Sequence, residues 1–333
     1  MTSEGSLLNR IRRAVLSDGA LTAGSVRLGI GDDAAIIKLR RGRELVASSD
    51  FLIEGVHFLS SHPPNAIGYK ALARGVSDLA AMSADPIGFL LNLAMPSRRT
   101  GAWLDEFLKG MDTAARKFRI SLIGGDLARN KKVAICIVVL GDCPSDRATR
   151  RSGARPGDLI YVSGKLGAAR LGLEISRKRF DKRRGASSLL SPYLYPSPRL
   201  TLGSWLARHR VATAMMDISD GLSIDLARLC EASQVGATLD ADRIPKVHIP
   251  QAWRRRLRLA PATALDFALH GGDDYELLFT VNPRHARLLS RPPGGVPLTH
   301  IGEVTRRPKI LLVSSARQES VLQPRGWDHF RGR

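Results

Sequence analysis

Gly29-Ile30-Gly31-Asp32-Asp33-Ala34-Ala35-Ile36-Ile37 sets two neighbouring carboxylates between a glycine-rich lead-in and a short apolar run. Adjacent like charges repel, and burial sharpens the conflict. A cation beside them removes it, and hard carboxylate oxygens suit Mg²⁺. The glycines let the backbone come close to a ligand. A solvated Gly-Asp-Asp turn opening a strand is the plainer alternative. Recurrence along the chain favours the cation site.

Working outward, the strand Glu44–Ser49 runs into Asp50, which at a strand end could join Asp32 and Asp33 around a metal. His57 lies among apolar neighbours, where a lone histidine is more often structural than a ligand contact. Pro63-Pro64-Asn65 starts a long helix with Ile67, Ala71, Leu72, Val76, Leu79 and Met82 on one face. Asp78 sits inside it amid alanines and leucines, and such a carboxylate needs a partner. Asp85-Pro86 ends the helix, Ile87–Ala94 reads as strand, and Thr100–Phe118 as amphipathic helix. The strand Ile120–Ile123 is expected to end in Gly124-Gly125-Asp126, where bare backbone could lie against a phosphate and Asp126 hold a metal. Lys132–Gly141 reads as a buried strand.

The texture changes over Cys143–Pro156, which is polar and arginine-rich. A domain boundary is expected there, giving domains of residues 1–150 and 151–333. Asp158–Ser163 reads as strand and Gly164-Lys165-Leu166-Gly167 as a turn into a helix, without the spacing of a P-loop. Arg177–Ser188 is basic, polar and expected to be mobile. Beyond the helix Pro198–His209 and the strand Thr213–Met216 comes Asp217-Ile218-Ser219-Asp220-Gly221-Leu222. Ser219 or Asp220 could cap the next helix, whose first amides would then face an anion. Three polar residues in four positions exceed what a cap needs, which favours a metal–phosphate site. After the strand Val235–Leu239 and two short helices, Gly271-Gly272-Asp273-Asp274-Tyr275-Glu276 repeats the style of the earlier loops. Two further strands precede the tail, which carries Trp327.

Composition bounds the rest. The chain has 333 residues, 44% of them hydrophobic but only 5% aromatic, enough for two domains with aliphatic cores. Cys136, Cys143 and Cys230 form no Cys-x-x-Cys pair, which points to buried thiols and suits a reducing cytoplasm. No apolar run is long enough to span a bilayer, and Glu4, Arg10, Arg12 and Arg13 interrupt any signal-peptide pattern. Leu7, Leu8, Ile11, Val15 and Leu16 instead make one face of a short helix. The net charge of +20 permits an anionic partner. Yet the clusters Arg40-Arg41, Arg98-Arg99, Arg177–Arg184 and Arg254-Arg255-Arg256 lack interleaved aromatics that would stack bases, so solvated surface is favoured over a nucleic-acid site.

No nucleophile–base pair accompanies the acidic loops. Such a set suits phosphoryl transfer, where positioning and a cation do most of the chemistry and no general base is needed if the acceptor is already a phosphate oxygen.

In their order, Gly-Asp-Asp-Ala-Ala, Ser-Ser-Asp-Phe-Leu-Ile-Glu-Gly-Val-His-Phe, Ser-Asp-Leu-Ala-Ala-Met, Gly-Gly-Asp, Asp-Ile-Ser-Asp-Gly-Leu and Gly-Gly-Asp-Asp-Tyr-Glu-Leu resemble the thiamine-monophosphate kinase family. The family lies within the aminoimidazole ribonucleotide synthetase-like superfamily, and the resemblance runs from about Gly29 to the tail. It implies an α/β (α+β) protein of two domains: an N-terminal ATP- and metal-binding domain whose mixed sheet pairs with its twin in a homodimer, then a C-terminal α+β domain completing the active-site cleft. It implies ATP-dependent conversion of thiamine monophosphate to thiamine diphosphate by in-line transfer with several Mg²⁺ ions, K⁺ being a further candidate. Carried over by position, Asp32, Ser48, Ser49, Asp50, Asp78, Asp126, Asp217 and Asp220 match metal-binding residues. Gly125, Asp126, Arg151 and Ser219 match ATP contacts. His57, Asp273 and Trp327 match positions near the thiamine substrate. Asp273 departs from a usual Glu, Ser83 from a usual Gly, and Arg74-Gly75 from an apolar–Asn pair. The rival readings are another ATP-dependent small-molecule enzyme of the same superfamily, a nucleic-acid-binding protein, and a non-catalytic metal–nucleotide sensor.

Overall fold

A computed structural model describes residues 4–15, 25–178, 186–314, 316–327 and 330. Most of Arg177–Arg184, and Leu16 of the first apolar face, lie outside the described residues. The chain divides into two compact units, Met1–Leu79 with Ala84–Ala148, and Ala80–Ser83 with Thr149–Arg333.

The first unit opens with helix α1 (Glu4–Val15), then a short ribbon of β1 (Val26–Leu28) and β2 (Ile36–Ile37). The acidic Asp32-Asp33 turn lies between those two strands. A mixed four-stranded sheet follows, in the order β3 (Arg43–Ile53), β6 (Ala134–Pro144), β4 (Asp85–Met95), β5 (Ser121–Arg129). Only β4 and β5 run parallel. Helices α2 (Pro64–Ala81) and α3 (Ala102–Phe118) supply the apolar stripes that the sequence periodicity indicates. Where they cross, glycines bring the two backbones together. A methyl on Gly110 would sit 1.8 Å from the Asn65 carbonyl oxygen, and one on Gly68 2.0 Å from that of Phe107.

Burial alternates along β3 and β6 as it must when one face of a sheet is covered. Leu52, Ile135, Ile137 and Val139 are inside. Leu45, Phe51 and Ile53 stand on the other face at 50%, 59% and 36% exposure. Two expectations change here. Asp50 is inside β3, not at its end, because β3 pairs with β6 from Arg43↔Pro144 through Ile53↔Ala134. Likewise β5 continues through Gly124-Gly125-Asp126 to Arg129, held against β4.

The second unit is built on a seven-stranded sheet in the order β13, β12, β9, β11, β7, β10, β8. These are β7 (Leu159–Ser163), β8 (Ala212–Ile218), β9 (Gly236–Asp240), β10 (Glu276–Val281), β11 (Leu298–Thr305), β12 (Ile310–Val313) and β13 (Glu319–Val321). All pairs are antiparallel except β9 with β12. One face packs against α7 (Leu222–Ser233), through Leu222, Leu226, Leu229 and Cys230 over Ile160, Met216, Leu239 and Ile301. The other packs against α6 (Leu200–Arg208), through Leu202 and Leu206 with Met215, Leu277, Phe279 and Val281. Helices on both faces explain why β10 is buried at every position, its apolar Leu277, Leu278, Phe279 and Val281 accompanied by Glu276 and Thr280, which are hydrogen-bonded inside.

Among the described residues the unit also has the α-helices α4 (Ala168–Arg177), α5 (Ala186–Leu194), α8 (Gln251–Leu257) and α9 (Thr263–His270). Leu171, Ile175, Ile249 and Phe267 form a side core there, with Leu189 and Leu190 against it. Helix α5 begins inside the stretch the sequence suggests is mobile. All three cysteines are free thiols, and Cys143 and Cys230 are buried. Cys136 is only half-buried, because it lies on the outward face of β6.

Two measurements test this packing. Gly110→Ala should destabilise the first unit by about 1–3 kcal/mol, read as a lower thermal midpoint, since the obstacle is backbone rather than a movable side chain. His62 is buried, and burial, helped by the Lys70 charge, lowers its pKa from 6.5 to about 4. Between those values the unfolded chain binds more protons, so stability is lost as pH falls through the window. His62→Asn, which keeps an acceptor for the Leu59 amide, should flatten the fall in melting temperature between pH 6.5 and 4.

Candidate active site

In the first unit the inner face of β3 meets α2. Ser48 Oγ donates to Asp78 Oδ2 at 2.5 Å, and Arg74 Nη2 reaches Asp50 Oδ1 at 3.4 Å. Arg74 and Asp78 are one helical turn apart, while Ser48 and Asp50 are two residues apart on a strand, so both pairs face the same way. Asp78, the carboxylate lodged among apolar residues, thus has its partner in the strand. The outer face carries a different set. Asp126 pairs in register with Asn92, which pairs with Cys136, which pairs with Phe51. That row is one residue out of step with Asp50, so Asp126 and Asp50 point to opposite faces of the sheet. Ser49 shares the outer face, its Oγ 3.5 Å from Cys136 Sγ.

Gly125 has φ +148, and a Cβ there would lie 1.9 Å from the Leu91 carbonyl oxygen. The neighbouring strand alone therefore demands glycine. Asp32 is exposed, with its Oδ1 accepting the Asp33 amide at 2.9 Å. His57 accepts the Ile53 amide on Nδ1 at 3.0 Å, which fixes the ring in the turn after β3.

In the second unit the chemistry gathers at one end of the sheet. Strands β7 and β8 both run antiparallel to β10, so the loops leaving them meet the loop entering β10. Asp217 ends up buried opposite Leu277. Asp273 N donates to Ser219 O at 2.7 Å and Tyr275 N to Ile218 O at 2.9 Å. Asp273 holds φ +60 and accepts the Tyr275 hydroxyl at 2.7 Å. The tail closes on the same place: Trp327 N donates to Asp220 O at 3.2 Å, and Ser223 Oγ donates to Arg325 O at 2.6 Å. Among the described residues, no contact brings Arg151 to this cluster: its backbone is held beside the middle of β8 and at Ser233, the end of α7 opposite Gly221. The preceding Arg150 carbonyl accepts the Met215 amide on the free edge of β8, and Ser233 Oγ fixes the Arg151 carbonyl at 3.0 Å.

Two carboxylates organise these loops, Asp225 buried and Asp274 half-buried by surface area. Asp274 accepts the Gly167 amide at 2.6 Å and the Ala169 amide at 3.1 Å, at the entrance of α4. Burial pushes its pKa up to about 7 against the pull of those two amides. Asp225 accepts the amides of Ser219, Asp220 and Gly221 at the entrance of α7, and burial raises its pKa to about 6, with the Asp220 charge adding to the effect. This overturns the expected cap. The N-cap of α7 is Gly221, and the amides ahead of the helix turn toward Asp225 rather than toward an open anion site. Glu276 is paired with Arg199 through both its oxygens and also accepts the Ser163 hydroxyl.

Residues 31–143 match the family described as AIR synthase related protein, N-terminal domain, and residues 155–313 match its C-terminal domain. The thiamine-monophosphate kinase of Synechococcus elongatus is 38% identical over 307 residues, covering 90% of this chain and 91% of that protein. This chain belongs to the thiamine-monophosphate kinase family. Among solved structures, the family member from Stenotrophomonas maltophilia has a TM-score of 0.80 at 36% identity, covering 93% of this chain and 96% of that one. AaThiL, crystallised as a complex with AMPPCP and TMP, has a TM-score of 0.77 at 29% identity, covering 98% of this chain and 97% of that one.

Against the family's expected site, each unit assembles part of the set. Ser48, Asp50 and Asp78 come together on the inner face of β3, while Ser49 and Asp126 stand on the outer face. Asp217, Ser219, Asp220, Asp273 and Trp327 come together at the loop end of the second sheet. Among the described residues, no three His, Cys, Asp or Glu side chains form a ready cage for a metal ion. The donors are carboxylate and hydroxyl oxygens. That chemistry fits Mg²⁺, which takes one or two carboxylates and completes its shell with phosphate oxygens and water. Reasoning from sequence passed over Asp225, Arg228 and Asp274. Asp225 lies between Ile224 and Leu226, the same apolar setting that singles out Asp78, so the signal was there to read.

Proposed function

We propose that this protein transfers the γ-phosphoryl group of ATP to the phosphate of thiamine monophosphate, giving ADP and thiamine diphosphate. The observation that carries this reading is family membership across nine-tenths of the chain, with the acidic motifs in place. In the reaction the bond from the γ-phosphorus to the bridging oxygen of ATP breaks. A bond from that phosphorus to a phosphate oxygen of thiamine monophosphate forms. The acceptor oxygen is already anionic, so the residues need only align and neutralise.

The chain's residues take these roles. Asp32, Ser48, Ser49, Asp50, Asp78, Asp126, Asp217 and Asp220 are the oxygen donors for Mg²⁺, which when bound neutralises charge on the phosphates. Gly125, Asp126, Arg151 and Ser219 hold ATP, with Arg151 offering a guanidinium fork to phosphate oxygens. His57, Asp273 and Trp327 address thiamine monophosphate, and the indole suits its cationic ring. Asp273 is supported by Tyr275 and placed against Ser219, which offers a shorter reach than the glutamate usual in the family. The residue ranges 1–150 and 151–333 serve as the ATP- and metal-binding half and the half that completes the site.

The outer face of the first sheet is proposed as the surface where two copies of the chain pair. Leu45, Phe51 and Ile53 crowd one exposed strand, and an apolar patch of that kind on a soluble fold marks an association site. Asp126 and Ser49 lie on that same face.

Incubation with ATP, Mg²⁺ and thiamine monophosphate should yield ADP and thiamine diphosphate in equal amounts, followed by chromatography. ADP without thiamine diphosphate would assign another acceptor, and neither product from folded protein would refute kinase action. Asp126→Asn should lower kcat by about 100-fold while the protein stays folded. Phe51→Glu should shift the species seen by light scattering from dimer to monomer; an unchanged mass would remove this face as the contact.

A further inference from the structure

Ser219, Asp220 and Gly221 direct three consecutive backbone N–H groups onto one atom, Oδ2 of Asp225, at 3.1, 3.0 and 3.0 Å. The other oxygen, Oδ1, takes Arg228 Nη1 at 2.9 Å. The same guanidinium nitrogen reaches Asp220 Oδ2 at 2.6 Å. Asp225 is 0% exposed, so it has no surface with which to touch a ligand. It sits on the first turns of α7, whose N-cap residue offers no side-chain bond of its own.

Hydrogen bonds to a carboxylate are about twice as strong as those between neutral groups, and three on one oxygen fix the peptide planes of the whole turn. Arg228 fixes the Asp220 side chain in the same act. The effect spreads outward, because the carbonyls of this turn hold other predicted site residues. Ser219 O anchors the Asp273 amide and Asp220 O the Trp327 amide. Gly221 cannot be replaced as an alternative anchor: at φ +124 it faces the His270 backbone, which a Cβ would meet at 3.0 Å.

We propose that Asp225 is the positioning residue of the Asp217–Gly221 loop, setting where the Ser219 hydroxyl and the Asp220 carboxylate meet the nucleotide phosphates and their cation. This rests on the assignment of Ser219 and Asp220 to that site. Asp225 acts through those residues, with Arg228 as its second tie. Displacing such groups by about 1 Å is enough to cost about 100-fold in rate.

The test uses the full chain with ATP, Mg²⁺ and thiamine monophosphate. Asp225→Asn keeps the volume and one carbonyl oxygen for the amides; Asp225→Ala keeps neither. The expected kcat falls about tenfold in the first and about 100-fold in the second. In both, the Mg²⁺ concentration for half-activation rises and the calorimetric affinity for AMPPCP with Mg²⁺ drops. A purely structural role would lower only the active fraction, leaving half-activation and affinity at their wild-type values, and that result overturns the proposal. Asp225→Asn within twofold of wild type in all three readouts also overturns it, and this variant decides alone should Asp225→Ala not fold. Ser219→Ala and Asp220→Asn are measured alongside. Wild-type behaviour in both would sink the site assignment, and the proposal with it. Defects there beside an unaffected Asp225→Asn would sink the positioning role only.

Discussion

The antiparallel pairing of β8 with β10 is the constraint on which the second unit's chemistry depends. It brings the end of one strand against the start of the other, so two acidic loops more than fifty residues apart become neighbours. The pairing of β7 with β10 adds a third loop at the same end. Register matters here more than composition. A slip of one residue would turn Asp217 and Leu277 to the wrong faces and separate Asp273 from Ser219. The apolar burial of β8 and β10 from both sides is what fixes that register.

A second regularity concerns where phosphate can be held. The amides at the entrances of α4 and α7 are the kind of sites that often cradle anions. In this chain the Gly167 and Ala169 amides face Asp274, and those of Ser219 to Gly221 face Asp225. Internal carboxylates therefore occupy both entrances. These amides are thus turned to the protein's own carboxylates, in keeping with a sequence that lacks a P-loop spacing.

The alternation of strands and helices was legible because both periodicities are carried by aliphatic residues. The long helix α2, the buried strands β4 and β6 and the strand entering from Glu276 all follow apolar patterns a reader can count. The departures have physical causes. Asp50 and Gly124-Gly125-Asp126 look like strand ends because acidic and glycine residues usually end strands. Continuous pairing with β6 and β4 carries those strands further. Helix α5 hides behind a basic stretch and contains Pro192 within it. That Asp126 and Asp50 face opposite ways follows from register alone, which motif spacing does not encode. The backbone amides that Asp225 and Asp274 accept leave no mark on the sequence, so only the apolar neighbours Ile224 and Leu226 of Asp225 signal a carboxylate in need of a partner.

The tie between Ser223 and Arg325 spans 102 residues of chain. A ribosome releases the Asp217–Gly221 loop well before it releases the segment that fastens it. During that interval the acidic turn can rest on Asp225 and Arg228, but the contacts from Arg325 and Trp327 do not yet exist. The local bonds can form as soon as α7 is made, whereas the distant clasp must wait for the tail. The order of synthesis thereby divides the contacts of this turn into an early, local set and a late, long-range one.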